Sequence, residues 1–218
     1  MPITQPFLDC SSKEGVFDIK KLNSYEIGGI MKRLVIMTVG KTHSGKTTFA
    51  KALESELNNS FIMDQDNNAE FLNTYYKNLL PKQGPNILKH SVSKVIVDYA
   101  KEHTDFHIIA SSANRTRKGR KYLLEEIYDK NAFVSILVHF DIPNEVLYER
   151  VIKSKRSTNI FRGAYSNFEE VLLSQQSGSM NKDVVDPEEG EADYLFVIRD
   201  NKEVESVIKE IVHIAKCL

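Results

Sequence analysis

The 218-residue chain holds only two cysteines, Cys10 and Cys217, near its opposite ends. There is no C-x-x-C pair, so neither a disulfide framework nor a cysteine-based zinc or redox site is expected, and a reducing cytoplasm suits the chain. No charge of one sign dominates: 29 Lys and Arg against 30 Asp and Glu leave a formal charge of −1. That balance argues against a protein held on nucleic acid or a membrane by its overall charge, although it is compatible with a local basic patch. Long hydrophobic runs are missing. The longest, 132–140, is far short of the ~20 residues of a membrane helix. No basic segment followed by an apolar block opens the chain, so no signal peptide is expected. Internal repeats and low-complexity tracts are absent. The 41 % hydrophobic and 27 % charged residues suit one soluble domain able to bury a full core.

Residues 1–30 stand apart. Ser11, Ser12, Gly15, Asn23, Gly28 and Gly29 punctuate them without an amphipathic period, and they are expected to form an N-terminal extension or arm. From residue 31 to 218 the pattern alternates strand and helix. Residues 34–39 are a short apolar run stopped by Gly40, as in a strand buried on both faces. Further strands are expected at 61–63, 107–110, 132–140 and 194–198. Helical spacing links Phe49, Ala52, Leu53 and Leu57, then Phe71, Leu72, Tyr75, Tyr76 and Leu79. It recurs in Leu88, Ser91, Val92, Val95, Ile96 and Tyr99, in Tyr122 to Tyr128, after Pro143, and from Val204 to Val212. The stretch 154–192 is polar and irregular. Strands separated by helices imply an α/β parallel sheet with right-handed crossovers, and such sheets bind ligands at the carboxyl ends of their strands.

Between the first strand and the first helix lies Gly40-Lys41-Thr42-His43-Ser44-Gly45-Lys46-Thr47, followed by Thr48. It matches G-x-x-x-x-G-K-[ST] without a mismatch, in the strand–loop–helix context that the phosphate-loop mechanism needs. The glycines let the backbone wrap phosphate oxygens, and the helix N-terminus adds partial positive charge. Lys46 can reach the β- and γ-phosphates and the Thr47 hydroxyl can ligate Mg²⁺, so ATP·Mg²⁺ is the expected ligand. Asp64-Gln65-Asp66 ends the second strand on the same rim. Transfer to an alcohol needs a carboxylate there to accept or orient the hydroxyl proton.

At these residues the sequence resembles the P-loop NTP-dependent kinases of the zeta-toxin and polynucleotide-kinase type, which share their phosphate loop with AAA-type ATP-binding proteins. The resemblance covers about residues 31–217 and implies a five-stranded sheet of order 2-3-1-4-5 with helices on both faces. It makes Asp66 the base toward the acceptor, with Asp64 a weaker candidate and a substrate-binding residue. Ile108 to Asn114, followed by Arg115, Arg117 and Arg120, resembles the strand-three motif of these kinases. Asn114 and Arg120 match as acceptor-binding residues, while Ser111 or Ser112 stands where the family carries aspartate. Phe140 to Glu145 with Arg150 is similar to the strand-four exit of adenylate-kinase-like enzymes, where the arginine packs on adenine. The resemblance implies a lid at about 154–192, with Arg156 and Arg162 stabilising the transferring phosphoryl group.

The sequence therefore predicts an ATP-dependent kinase acting on a hydroxyl of a small metabolite or nucleotide-like acceptor. Two alternatives stand beside it. The missing strand-three aspartate suits a non-catalytic, regulatory ATP-binding module. A nucleic-acid 5′-end kinase would need a basic groove made by Arg115, Arg117, Lys118, Arg120 and Lys121, and net charge does not favour it. His103 with His107, and Cys217, carry no expected metal or nucleophile role.

Overall fold

In the computed structural model, residues 32–82, 84–161, 163, 165–178 and 182–218 are described. Residues 1–31, which include the expected N-terminal extension or arm, and Arg162 lie outside them. Five strands form one sheet: β1 (Arg33–Val39), β2 (Ser60–Asp64), β3 (His107–Ser111), β4 (Phe133–Phe140) and β5 (Tyr194–Ile198). Their order is β2-β3-β1-β4-β5, and every neighbouring pair is parallel. The apolar runs explain the centre of this order. β4 is buried along its whole length and β1 along all but its first residue, as strands covered on both faces must be.

The helices are α1 (Lys46–Glu56), α2 (Gln65–Tyr75), α3 (Ile87–His103), α4 (Arg117–Tyr122), α5 (Asn144–Ile152), α6 (Phe168–Ser177) and α7 (Val204–Lys216). On one sheet face Val35, Met37 and Val39 alternate inward to meet Val97 of α3 and Leu124 and Ile127 after α4. α1 packs against α7, whose Val207, Ile208, Ile211 and Ile214 are buried. Register places Asp64 beside Ser111 and Met37 beside Ala110, so the ends of β1, β2 and β3 make one rim.

Two expectations are corrected. The apolar stripe of α3 does not face the core: Val95 and Tyr99 are 67 % and 63 % exposed, and Ser93, Val97 and Ala100 are buried instead. Small residues let the helix approach the sheet closely, so its buried face carries a weak hydrophobic signal. Phe71, Tyr75 and Tyr76 are likewise exposed, and α2 buries Ala69, Leu72 and Asn73. The second correction concerns 154–192, which is not wholly irregular. It contains α6, started by Asn167, whose side chain accepts the Glu170 N–H at 2.9 Å. After α6 the chain is strapped to α4. Thr116 bridges Val184, Arg117 N donates to the Asp183 carbonyl at 2.9 Å, and Glu191 pairs with Arg120.

Candidate active site

The phosphate loop follows β1 directly. Gly40 has φ +151°, and a Cβ there would lie 3.0 Å from Ser44 Oγ and 3.1 Å from the Phe140 carbonyl oxygen. Only glycine lets the backbone pass so close. Gly45, at φ +103°, caps α1 without a side-chain hydrogen bond, and no acidic residue stands in the first turn. The N–H groups that begin α1 therefore keep their positive end for an anion. The loop floors a cleft of about 1010 Å³, which Asp64, Asp66, Arg150, Arg156, Phe161 and Phe168 help to line.

Lys46 lies folded onto its own loop, with Nζ donating to the Lys41 carbonyl and to Ser44 Oγ at 3.1 Å. Burial, with help from Arg156 and Arg115, lowers its pKa to about 8, against the opposing pull of Asp66 and Asp64. Thr47 Oγ1 donates to Asp64 Oδ2 at 3.4 Å, and the other Asp64 oxygen accepts the Asp66 N–H at 2.8 Å, capping α2. Burial raises the Asp64 carboxyl, and repulsion from Asp66 adds to it, while hydrogen bonds from Asp66 N and Thr47 and the charge of Arg156 oppose them. The adjacent hydroxyl and carboxylate are the hard oxygen donors that a magnesium ion takes alongside phosphates and water. The residues thus fit the metal that accompanies a nucleoside triphosphate.

Asp66 is different in kind. Its side chain is partly exposed on the cleft wall and ion-paired with Arg156 at 2.6 Å. Arg156 also lies over the Phe168 ring, 5.1 Å from its centroid. Phe168 in turn meets His43 edge-on at 4.8 Å, and Gln175 Oε1 accepts the Thr42 N–H at 2.7 Å. α6 therefore rests on the phosphate loop through an aromatic ring and an amide. Neither Phe168 nor Gln175 was singled out from the sequence. The signal that could have found them is Asn167 followed by Glu169 and Glu170, an N-cap and an acidic first turn.

His43 holds φ +58° inside the loop. Burial and the nearby Arg156, Lys46 and Arg150 charges lower its pKa to about 4, so the imidazole is neutral at pH 7. Its Nδ1 lies 3.0 Å from Thr42 Oγ1, while Nε2 is buried without a hydrogen-bond partner. Arg150 donates to the His43 carbonyl at 3.2 Å and to Asn201 Oδ1 at 3.0 Å, which fixes its guanidinium against the outer wall of the loop.

Lys41, Asn114 and Arg120 do not meet this cleft. Lys41 turns outward to Asn144 Oδ1 at 2.7 Å. Asn114 donates to the Thr38 carbonyl at 2.9 Å and lines a separate cavity. Arg120 is a correction: it is 0 % exposed and makes a bidentate pair with Glu191 at 2.8 and 2.9 Å. Its remaining bonds go to the Asn114, Arg115 and Val185 carbonyls. An arginine so enclosed fastens the strap to α4 and cannot reach an acceptor.

No protein-family model and no curated protein sequence matches the chain. Solved structures do. The chain is similar to a Mycobacterium tuberculosis APS kinase in complex with AMPPNP and APS, at 14 % identity and a TM-score of 0.52, over 85 % of this chain and 99 % of that one. Shikimate kinase from Bacteroides thetaiotaomicron matches at 16 % identity and 0.51, over 84 % and 98 %. Chaetomium thermophilum Kti12 in complex with ADP-AlF3 matches at 18 % and 0.52, over 81 % and 96 %. The fold is that of the P-loop kinases. At these identities the likeness is one of fold, so the chemistry has to be argued from the site's own residues. Among the described residues, no helix is long and apolar enough to cross a membrane.

Proposed function

We propose that the protein is an ATP·Mg²⁺-dependent phosphotransferase that moves the γ-phosphoryl group to a hydroxyl of a small acceptor. The observation that carries this reading is the pairing of two differently placed carboxylates with one phosphate loop. Asp64 is buried against Thr47, and Asp66 is held on the cleft wall by Arg156. Bound magnesium would neutralise charge on the phosphates, with Thr47 and Asp64 as its protein-side oxygens. Lys46 leaves the Lys41 carbonyl for the phosphate oxygens, which hold its ammonium charge against the effect of burial. Arg150 packs on the adenine side of the loop. The acceptor oxygen bonds to the γ-phosphorus as the bond to ADP breaks, and its proton passes to Asp66. Arg156, released from Asp66 by the incoming groups, stabilises the charge on the transferring oxygens. α6 and Phe168 cover the loop and exclude water, which is the work expected of a lid.

A non-catalytic nucleotide-binding module is the second reading. It is favoured by Ser111, which is buried beside Asp64 where an aspartate would carry charge. Transfer of label from γ-labelled ATP to a panel of alcohols, nucleosides and 5′-hydroxyl oligonucleotides separates the two. Label on any acceptor other than water excludes the module. Tight MgATP binding with no transfer to any member supports it.

A further inference from the structure

A second cavity, of about 290 Å³, adjoins the phosphate cleft. His90 and Ser112 line both spaces, and Gln65, which lines the second, is the immediate neighbour of Asp66, which lines the first. A molecule seated there lies next to the transfer site. The volume is at the bottom of the range of small-molecule sites, ~300–1000 Å³.

Its polar groups have a consistent character. Tyr128 is 4 % exposed and lines the cavity. Among the described residues its hydroxyl meets no hydrogen-bond partner, which leaves it for a molecule seated in the cavity. Burial raises its pKa, so the hydroxyl stays protonated and can donate. The Asn114 amide is held by its nitrogen on the Thr38 carbonyl, which leaves its oxygen as an acceptor. The Gln65 amide adds both functions. The walls between them are Met63, Val97, Ala110, Leu123 and Ile127. Among the described lining residues there is no arginine and no carboxylate. The one lysine, Lys94, is paired with Asp98. An anionic group placed here would lose hydration and could recover it only from Lys94, by drawing it from Asp98, or from the His90 ring.

We infer that this cavity is the acceptor pocket and that it selects an uncharged ring alcohol, of monosaccharide to nucleoside size, over carboxylated or phosphorylated acceptors. The inference rests on the phosphotransferase reading for the reaction, but not for the binding. Neutral hydroxyls bond Tyr128, Asn114 and Gln65, while the apolar ring face lies on Val97 and Ile127.

The test uses matched pairs that differ by one anionic group: D-glucose with D-glucuronate, uridine with uridine 5′-monophosphate, and benzyl alcohol with 4-(hydroxymethyl)benzoate. Transfer from MgATP and direct binding by saturation-transfer NMR are measured for each, on the wild type and on Tyr128→Phe. That substitution keeps the ring and the packing and removes only the hydroxyl. The expected result is at least tenfold preference for the neutral member of a pair. Tyr128→Phe should raise its KM about three- to tenfold, the worth of one hydrogen bond, with kcat and ATP affinity unchanged. Preference for the anionic members overturns the inference and leaves the phosphotransferase reading intact. So does a Tyr128→Phe variant that behaves as wild type. Neutral probes that bind, lose affinity in Tyr128→Phe and are never phosphorylated uphold the pocket and sink the phosphotransferase. Probes that neither bind nor react overturn the pocket.

Discussion

Asp66→Asn separates catalysis from binding because the structure divides labour between adjacent carboxylates. Asp64 caps α2 and touches Thr47, so the helix start survives the change at Asp66. The contact that is lost is the ion pair with Arg156, between side chains 44 % and 36 % exposed. Pairs that wet contribute at most about 1 kcal/mol, which corresponds to about 2–4 °C in melting temperature for a domain of this size. The variant should therefore fold normally. ATP affinity should stay within about threefold, because the phosphates are held by the loop and Lys46; freeing Arg156 favours binding and lowering the support Asp66 gives to Lys46 opposes it. Transfer should fall about 10²–10⁴-fold, the usual worth of a positioned base. The assay is labelled γ-phosphate transfer, with ATP affinity and melting temperature measured on the same preparation. Wild-type transfer would remove Asp66 from the chemistry. A tenfold or larger loss of ATP affinity would mean that Asp66 belongs to the nucleotide site instead.

Lys46 predicts a pH dependence. Its free-state pKa of about 8 lies below the 10.5 of an exposed lysine, and bound phosphates raise it again. Binding MgATP should thus take up protons above pH 8, and affinity should fall with rising pH by up to about tenfold per unit; titration calorimetry in two buffers reads both, and a flat affinity from pH 7 to 9.5 refutes the assignment. Gln175→Ala should tighten nucleotide binding about two- to tenfold if its amide competes with phosphate for the Thr42 N–H at 2.7 Å; weaker binding would make Gln175 a nucleotide contact. Arg120→Ala should cost about 1.5–3 kcal/mol in urea unfolding, because it removes the bidentate bonds to Glu191, which keeps only the Glu188 N–H at 3.0 Å and Arg117 at 3.9 Å. The folded fraction should bind MgATP as the wild type does, and any selective loss of binding contradicts the structural role.

The strands were legible because their signal is local. β1 and β4 are continuous apolar runs, and the glycines of the loop mark where β1 stops. The order of the strands came through the resemblance, since nothing in a single strand says which neighbour it pairs with. Helix faces were harder. α3 carries more apolar surface on its outer side than on its buried one, because Ser93 and Ala100 pack where larger residues would hold the helix off the sheet. α6 was hidden by composition, with only Phe168 and Leu172 buried among polar neighbours.

The site shows the same limit in sharper form. That Lys46, Thr47, Asp64 and Asp66 share one cleft was readable because the loop and the end of β2 each span few residues, where spacing alone fixes geometry. Arg156 and Asp66 are 90 residues apart, and the resemblance suggested only that the arginine was a lid residue, not which carboxylate it would meet. Arg120 fails for the opposite reason. A helix that follows β3 offers the same spacing to an arginine aimed at substrate and to one aimed inward. What decides between them is Glu191, 71 residues downstream. Burial pushes that carboxyl up, and the bonds and charge from Arg120 overcome it, so it stays below its ordinary range. Charge on an isolated motif therefore does not identify a ligand group until its partners are counted. With Arg120 taken up by Glu191 and Lys94 by Asp98, the cations among the described residues that line the phosphate cleft are Lys46, Lys51, Lys89, Arg150 and Arg156. The proposed acceptor pocket carries, besides Lys94 and His90, the neutral hydrogen-bonding groups of Gln65, Asn114 and Tyr128. On the proposed phosphotransferase reading, a pocket poorer in cations than the phosphate cleft suits an uncharged acceptor, because cations near both substrates would draw ATP into the acceptor pocket as readily as into its own.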